Sequence, residues 1–330
     1  MLSRRCFVTT SASAGLACAL GGSATTTCAQ TLAKNARLLV GFPPGGSLDV
    51  VARLLVEHMK GYAPSMIVDN RPGAGGRIAL EALKAGEPDG SLLALTPGDQ
   101  VTLFPHVYKR PTYDALRDFV PVTTVCTFPF LLAVGPIVPA NVSTLAQFID
   151  WCRANPRLAT YGSPGVGTRP HFLGVTLARA AGFKFVHLPY KGGAHAIQDV
   201  LGGQIPAIIS VFSNVYPHVQ SGSMRALAIT APQRSPLLPN VPTAREAGYP
   251  GMEAVEWFGL FVPAKTPADI VNFLHSSVQL ALQTEPVKSG LARHSFDAVA
   301  ISRTDFVALI RADTERWGEI VKASSFKPIE

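Results

Sequence analysis

From residue 37 onward, short apolar runs alternate with amphipathic segments, and the junctions between them are rich in Gly, Pro and Ser. Runs too short for helices, each followed by a segment at helical spacing, predict strand-helix units and so an α/β fold with largely parallel sheets. Arg37 to Phe42 reads as a buried strand. Ser47 to Lys60 reads as a helix with Ser47 as its N-cap, Asp49 in its first turn, and Leu48, Val51, Leu55 and Met59 near one face. The same alternation predicts strands at 66–69, 91–95, 160–162, 184–188, 205–211 and 225–230, and helices at 77–85, 145–155, 169–181 and 194–202. Residues 257–262 read as a strand, and from 267 to the end the pattern is helical apart from one strand near Ala298.

Between Asp118 and Asp150 there is no charged residue, which on hydropathy alone resembles a membrane span. Pro121, Pro129, Pro136 and Pro139 break it up, so the segment reads as a buried strand at Phe130–Val134, a turn, and a helix opening near Ser143 in a soluble mature protein. The strands at 130–134 and 257–262 flank proline-rich turns and are natural crossings between two lobes. The expected division is one lobe from 30–129 and 258–330 and a second from 130–257, with the ligand site in the cleft between them. A chain of 330 residues is ample for two such lobes, and 15% charged against 47% hydrophobic residues exclude a disordered or coiled-coil protein.

The first 29 residues have the layout of an export signal: Arg4-Arg5, a mild apolar stretch from Cys6 to Leu20, and a small, polar end at Thr27-Cys28-Ala29. Ser3-Arg4-Arg5-Cys6-Phe7-Val8 also resembles the twin-arginine consensus, and an ordinary Sec leader is the competing reading. Cleavage near Ala29 would leave Cys126 and Cys152 as the remaining thiols, either paired or separately buried. The 29 Lys+Arg and 22 Asp+Glu give +7; without Arg4 and Arg5 the count is 27 against 22, or +5. These charges are scattered with no basic run of three, so the footprint of a nucleic-acid binder is missing.

Two strand-to-helix loops have the chemistry of an anion cradle. Phe42-Pro43-Pro44-Gly45-Gly46-Ser47 would present helix N–H groups beside glycines that admit a ligand, with Asp49 facing either the ligand or the helix dipole. Tyr161-Gly162-Ser163-Pro164-Gly165-Val166-Gly167-Thr168 repeats the device in the middle of the chain, and the two would grip a carboxylate as a pincer. Neither is a Walker A loop, and Asn70-Arg71-Pro72-Gly73-Ala74-Gly75-Gly76-Arg77 lacks the third glycine of a dinucleotide fingerprint. Ser163 is not in a nucleophile elbow, because Tyr161 stands where glycine is required. The eight histidines, with only His187 and His195 close in sequence, show no metal-ligand spacing. No acid/base pair or catalytic cysteine stands out, so neither a catalytic set nor a cofactor or metal is expected.

These segments resemble the Bug/TctC family, the extracytoplasmic substrate-binding proteins of tripartite tricarboxylate transporters. The resemblance lies in Phe42 to Asp49, Asp69 to Gly76, Gly162 to Thr168, Pro189-Tyr-Lys-Gly-Gly-Ala194, Leu201 to Gln204, Arg234 to Thr243 and Trp257 to Pro263, in the family's order. It implies a two-lobed, type II periplasmic-binding-protein-like fold, a monomer that closes on a small carboxylate, and delivery to large and small membrane subunits of a transporter. The same closure would also serve a sensor protein, and a secreted serine-type hydrolase is the reading from another class. The resemblance implies carboxylate contacts from Phe42, Pro43, Pro44, Gly45, Gly46 and Ser47 on one side and Ser163, Gly165, Val166, Gly167 and Thr168 on the other, and Asp49 and Arg169 are read beside these loops as further candidate ligand residues. Val166 and Arg169 depart from the family's usual residues, and Arg169 would add positive charge. Pro206 and Ser210 stand where acidic residues are usual, one of which can meet a ligand's amino group. An amino-acid ligand is therefore expected to be disfavoured, with Ser210 facing the ligand instead.

Overall fold

The computed structural model describes Leu32 and residues 34–330; the export-signal reading of residues 1–29 lies outside them. In chain order the first elements are β1 (Ala36–Val40), α1 (Ser47–His58), β2 (Met66–Asn70), α2 (Arg77–Lys84) and β3 (Leu92–Pro97). Three short helices follow, α3 (Asp99–Thr102), α4 (Phe104–Val107) and α5 (Ala115–Asp118), then β4 (Phe119–Val134) and α6 (Leu145–Ala154). The middle contains β5 (Thr160–Ser163), α7 (Arg169–Ala181), β6 (Val186–Pro189), α8 (Gly193–Leu201), β7 (Ala207–Val211), α9 (Phe212–Gln220) and β8 (Arg225–Ile229). The chain closes with β9 (Val255–Pro263), α10 (Ala268–Gln283), α11 (Glu285–Arg293), β10 (Asp297–Ala298) and α12 (Arg303–Ala323).

Hydrogen bonding orders the strands β2-β1-β3-β9-β4-β7-β5-β6, with β8 and β10 also on β4. Parallel pairing is confined to the two ends: β1 with β2 and β3, and β5 with β6 and β7. Every pair made by β4 or β9 is antiparallel, which corrects the expectation of largely parallel sheets. The physical reason is the path of the chain, because a strand that crosses between two βαβ halves and a strand that returns must run in opposite directions.

β4 is also far longer than the predicted Phe130–Val134. Its first part, Phe119–Pro129, pairs with β9, and its second part, Phe130–Val134, pairs with β7 and β8. Pro121 and Pro129 read as breaks, yet both lie inside the strand. Register shifts between Pro121 and Thr123 and between Thr124 and Cys126 mark bulges, which accommodate residues that cannot join a regular ladder. The helix α9 was not predicted at all; Pro217 inside it hides the helical pattern.

Local signals set several boundaries. Thr144 and Gln147 form a reciprocal capping box that starts α6, one residue past the expected Ser143. Pro170 sits in the first turn of α7, and Gly182 ends that helix in the left-handed conformation. Each half of the sheet is covered on both faces. One apolar cluster joins α1, α10 and α11 to α6 and α7 through Phe128 and Phe130 of β4. A second packs β1 and β3 against α2 and α12, and a third packs β4 and β7 against α8 and α9. Cys126 and Cys152 are both buried and unpaired; burial pushes the Cys152 thiol up to about 12 and Cys126 higher still. Among the described residues, no helix is long and apolar enough to cross a membrane.

Candidate functional site

A cavity of about 430 Å³ opens where four helices begin. Its wall includes Phe42 to Leu48 before and within α1, Thr168 and Pro170 at the start of α7, Gly192 to His195 at the start of α8, and Val211 and Asn214 at the start of α9. The first N–H groups of a helix have no partner inside it, so such starts concentrate hydrogen-bond donors and positive potential on one space. Phe42, Phe128, Phe130 and Phe258 supply the apolar wall, and Lys191 is the lysine on it.

Asp49 shapes the first loop from beneath. Its carboxylate is buried and accepts the Gly45 N–H at 2.9 Å, Arg53 Nε at 2.8 Å and Asn70 Nδ2 at 2.9 Å. Burial raises its pKa, but the bonds from Arg53, Gly45 and Asn70 outweigh that and hold it below the usual carboxylate range. Asp49 therefore organises the loop and does not line the cavity. Ser47 is not an N-cap: Gly46 occupies that position without a side-chain cap, and Ser47 is the first helical residue. Its hydroxyl donates instead to Asn214 Oδ1 of α9 at 2.6 Å and lies 3.2 Å from Ser213 Oγ.

The second loop contributes less surface than its sequence promises. Pro164 and Thr168 line the cavity, whereas Ser163, Gly165, Val166, Gly167 and Arg169 do not. Its donors bond inward: Gly165 N–H to Ser163 Oγ at 3.3 Å, Gly167 N–H to His171 Nδ1 at 3.2 Å, and Arg169 N–H to Asp99 Oδ2 at 3.0 Å. Ser163 Oγ lies 2.6 Å from His187 Nε2, the atoms of a nucleophile and base, but Ser163 is fully buried. His187 stacks on His171 with ring centroids 3.9 Å apart. Burial lowers both, His171 to about 4 and His187, with His171 beside it, to about 3, so both rings are neutral.

Arg169 brings no free charge to a ligand, because its guanidinium is locked in a buried network. Nη2 meets Asp313 at 2.7 Å, Nη1 donates to the Val255 carbonyl at 2.6 Å, and the guanidinium lies over the Trp317 ring. Nε is 3.2 Å from both Asp99 Oδ1 and Glu256 Oε2, within charge contact but without hydrogen-bond geometry to either. Trp257 Nε1 donates to Asp313 at 2.8 Å. Burial opposes charge on Arg169, but Glu256, Asp313 and Asp99 outweigh it and keep the guanidinium ionised. Three carboxylates around one cation leave surplus negative charge in low dielectric. Burial raises both Asp99 and Glu256, and the Asp99 charge together with the hydrogen bond between the two carboxyl groups raises Glu256 further, well above the usual glutamate range.

Several wall residues were not chosen from sequence: Asp99 and Glu256, and the Lys191-Gly192-Gly193-Ala194-His195 start of α8 with Gln198, Asn214 and His218. The Tyr-Lys-Gly-Gly segment carried a signal, since paired glycines before a helix permit close approach. A side chain on Gly193 would place Cβ 2.8 Å from Ser210 Oγ. Ser210 itself is buried behind that glycine and does not line the cavity. Among the described residues, no cluster of His, Cys, Asp and Glu has metal-binding geometry.

Two sheet halves bridged by β4 and β9, with a ligand-sized cavity among helix starts, define a two-lobed solute-binding protein of the type II periplasmic-binding-protein-like class. The family model for tripartite tricarboxylate transporter family receptors, TctC, matches residues 51–326. Protein BugT of Bordetella pertussis is 32% identical over 320 residues, covering 95% of this chain and 96% of BugT. An R. palustris structure with adipate has a TM-score of 0.83 at 30% identity, covering 89% of this chain and 98% of that one. MatC from Rhodopseudomonas palustris with bound malate has a TM-score of 0.79 at 27% identity, covering 87% and 98%. The chain belongs to the TctC family of periplasmic solute-binding proteins.

Proposed function

We propose that this protein is exported by its first 29 residues, captures a small organic carboxylate between lobes formed by 30–129 with 258–330 and by 130–257, and delivers it to a tripartite tricarboxylate-type membrane transporter. It acts by binding and closure, as a monomer, and performs no chemistry. The observation that carries this reading is the cavity at the starts of α1, α8 and α9, where helix starts without a side-chain cap and Lys191 meet aromatic walls. The malate and adipate held by the two R. palustris relatives are carboxylates of a size that such a cavity admits. The closed-off Ser163 favours binding over hydrolysis, because a nucleophile must reach its substrate. The test is mass spectrometry of protein taken from its own periplasm, first native and then denatured. A released carboxylate supports the reading. An empty protein that also shows no thermal shift with a panel of carboxylates would overturn it.

A further inference from the structure

The loop before α7 is fixed from behind by two imidazole rings, where the loop before α1 is fixed by a carboxylate. His187 stands on β6, and its Nε2 lies 2.6 Å from Ser163 Oγ at the start of the loop. His171 stands in the first turn of α7, and its Nδ1 accepts the Gly167 N–H at 3.2 Å near the end of the loop. The two rings stack with centroids 3.9 Å apart and 17° between their planes, so neither shifts without the other. Tyr161 packs against His187, and Phe172 and Phe326 pack against His171. Tyr161, the titratable group among these neighbours, donates its hydroxyl to the His171 carbonyl at 2.6 Å, and burial pushes its pKa far up, so it stays neutral.

What the pair fixes reaches the cavity, although neither ring lines it. Ser163 Oγ accepts the Gly165 N–H at 3.3 Å, the Gly165 carbonyl accepts the Thr168 hydroxyl at 3.0 Å, and Thr168 is part of the wall. The Ser163 and Pro164 carbonyls accept the Tyr190 and Gly192 N–H groups, each at 3.0 Å, so the same loop also holds the start of α8. We propose that His171 and His187 are positioning residues for the ligand site: a stacked, uncharged pair that sets the placement of Thr168 and of the start of α8 without touching the ligand. Acceptance by Nδ1 requires His171 to be neutral with its hydrogen on Nε2, because a protonated Nδ1 would turn one N–H toward another. The inference rests on the binding reading above for the use of the cavity, while the loop geometry it concerns is measured without ligand.

Nitrogen NMR of the ligand-free mature protein, labelled at histidine, should find His171 in the Nε2–H tautomer, with neither ring titrating between about pH 5 and 8. That measurement stands whether or not any variant folds. His171→Phe keeps a ring to stack but removes the acceptor, and should speed hydrogen exchange of the Gly167 amide about tenfold or more. His171→Asn returns an acceptor oxygen close to the place of Nδ1 and should bring exchange back to within about threefold of wild type. In calorimetry with malate and with adipate, whichever binds wild type should bind His171→Phe about tenfold more weakly and His171→Asn nearly as well as wild type. A His171 ring that titrates near the ordinary value of about 6.5, or a Gly167 amide that exchanges equally fast in wild type and His171→Phe, would overturn the inference and leave the carboxylate reading standing. Unchanged affinity in a His171→Phe protein whose Gly167 amide is freed would overturn it too, since the pair would then hold the loop without serving the site. If neither acid nor a wider carboxylate panel binds wild type, the carboxylate reading falls, and the tautomer and the amide comparison alone decide whether the pair holds the loop.

Discussion

The loops before α1 and α7 share a pattern, proline and glycines leading from a buried strand into a helix, yet the structure uses them differently. The α1 loop is held from below by Asp49 and leaves its helix start open to the cavity. The α7 loop spends its donors on Ser163, His171 and Asp99, and its first helical side chain is locked among three carboxylates. Matching loops therefore do not imply matching sites. The partners waiting below each loop decide whether it meets a ligand or ties down a wall.

The comparison breaks most visibly at Arg169. Arg169→Met removes the one cation among Asp99, Glu256 and Asp313 and should lower unfolding free energy by about 3–5 kcal/mol. Denaturant titration checks this, and a loss below about 1 kcal/mol would mean that the network is not structurally important. The glycines give a second, smaller contrast. Gly167 has φ +75°, and a Cβ there would lie 2.5 Å from Val107 Cγ1, so Gly167→Ala should cost about 1–3 kcal/mol. Gly46 has φ −77°, and its Cβ would meet only the Pro43 carbonyl at 3.6 Å. Gly46→Ala should change stability by less than about 1 kcal/mol, while the methyl group at the cavity wall weakens ligand binding by about tenfold. Thermal unfolding and calorimetry on the same two variants separate the effects. Equal binding losses at both glycines would restore the symmetric pincer.

The same asymmetry sets opposite responses to pH. Asp49 has a depressed pKa when folded, so its contribution is present at neutral pH and is lost as pH falls below the ordinary carboxylate range. Asp49→Asn should therefore cost stability at pH 7 and little near pH 3. Glu256 has a raised pKa when folded, so the folded state binds more protons, and its effect on stability declines as pH rises above the ordinary glutamate value. Glu256→Gln cannot ionise and should flatten that decline, becoming relatively more stable than wild type toward alkaline pH. Stability curves measured from about pH 2 to 9 check both signs, and parallel curves for Glu256→Gln and wild type would refute the raised pKa of Glu256.

Much of the scaffold was legible because it depends on local pattern: α7 begins and ends where Arg169 and Ala181 were predicted, and α1 starts at Ser47. What escaped is non-local. The first half of β4 is stabilised by pairing with β9, about 130 residues away, and its prolines look like breaks until that partner is present. Asp99 was unreadable as a site residue for the same reason, since its meaning comes from Arg169 and Glu256, each remote in sequence. The α1 loop was readable because Asp49 sits four residues from the Gly45 N–H that it anchors.

The smallest contrast concerns Ser47, whose α7 counterpart, Arg169, is fixed within the wall. Ser47 donates across from α1 to Asn214 of α9, and both residues line the cavity. If lobe closure brings α1 to α9, this bond forms on closing, and its net value is about 0.5–1.5 kcal/mol. Ser47→Ala should then weaken ligand binding about two- to tenfold and leave the unfolding temperature of the ligand-free protein nearly unchanged. Asn214→Ala should do the same, and the double variant should lose no more than either single one, because the pair acts as a unit. Small-angle scattering of ligand-free Ser47→Ala should show a radius of gyration at least as large as that of wild type. Strictly additive affinity losses would show that Ser47 and Asn214 each meet the ligand separately, and the bond between them would then be a consequence of closure and not a contributor to it.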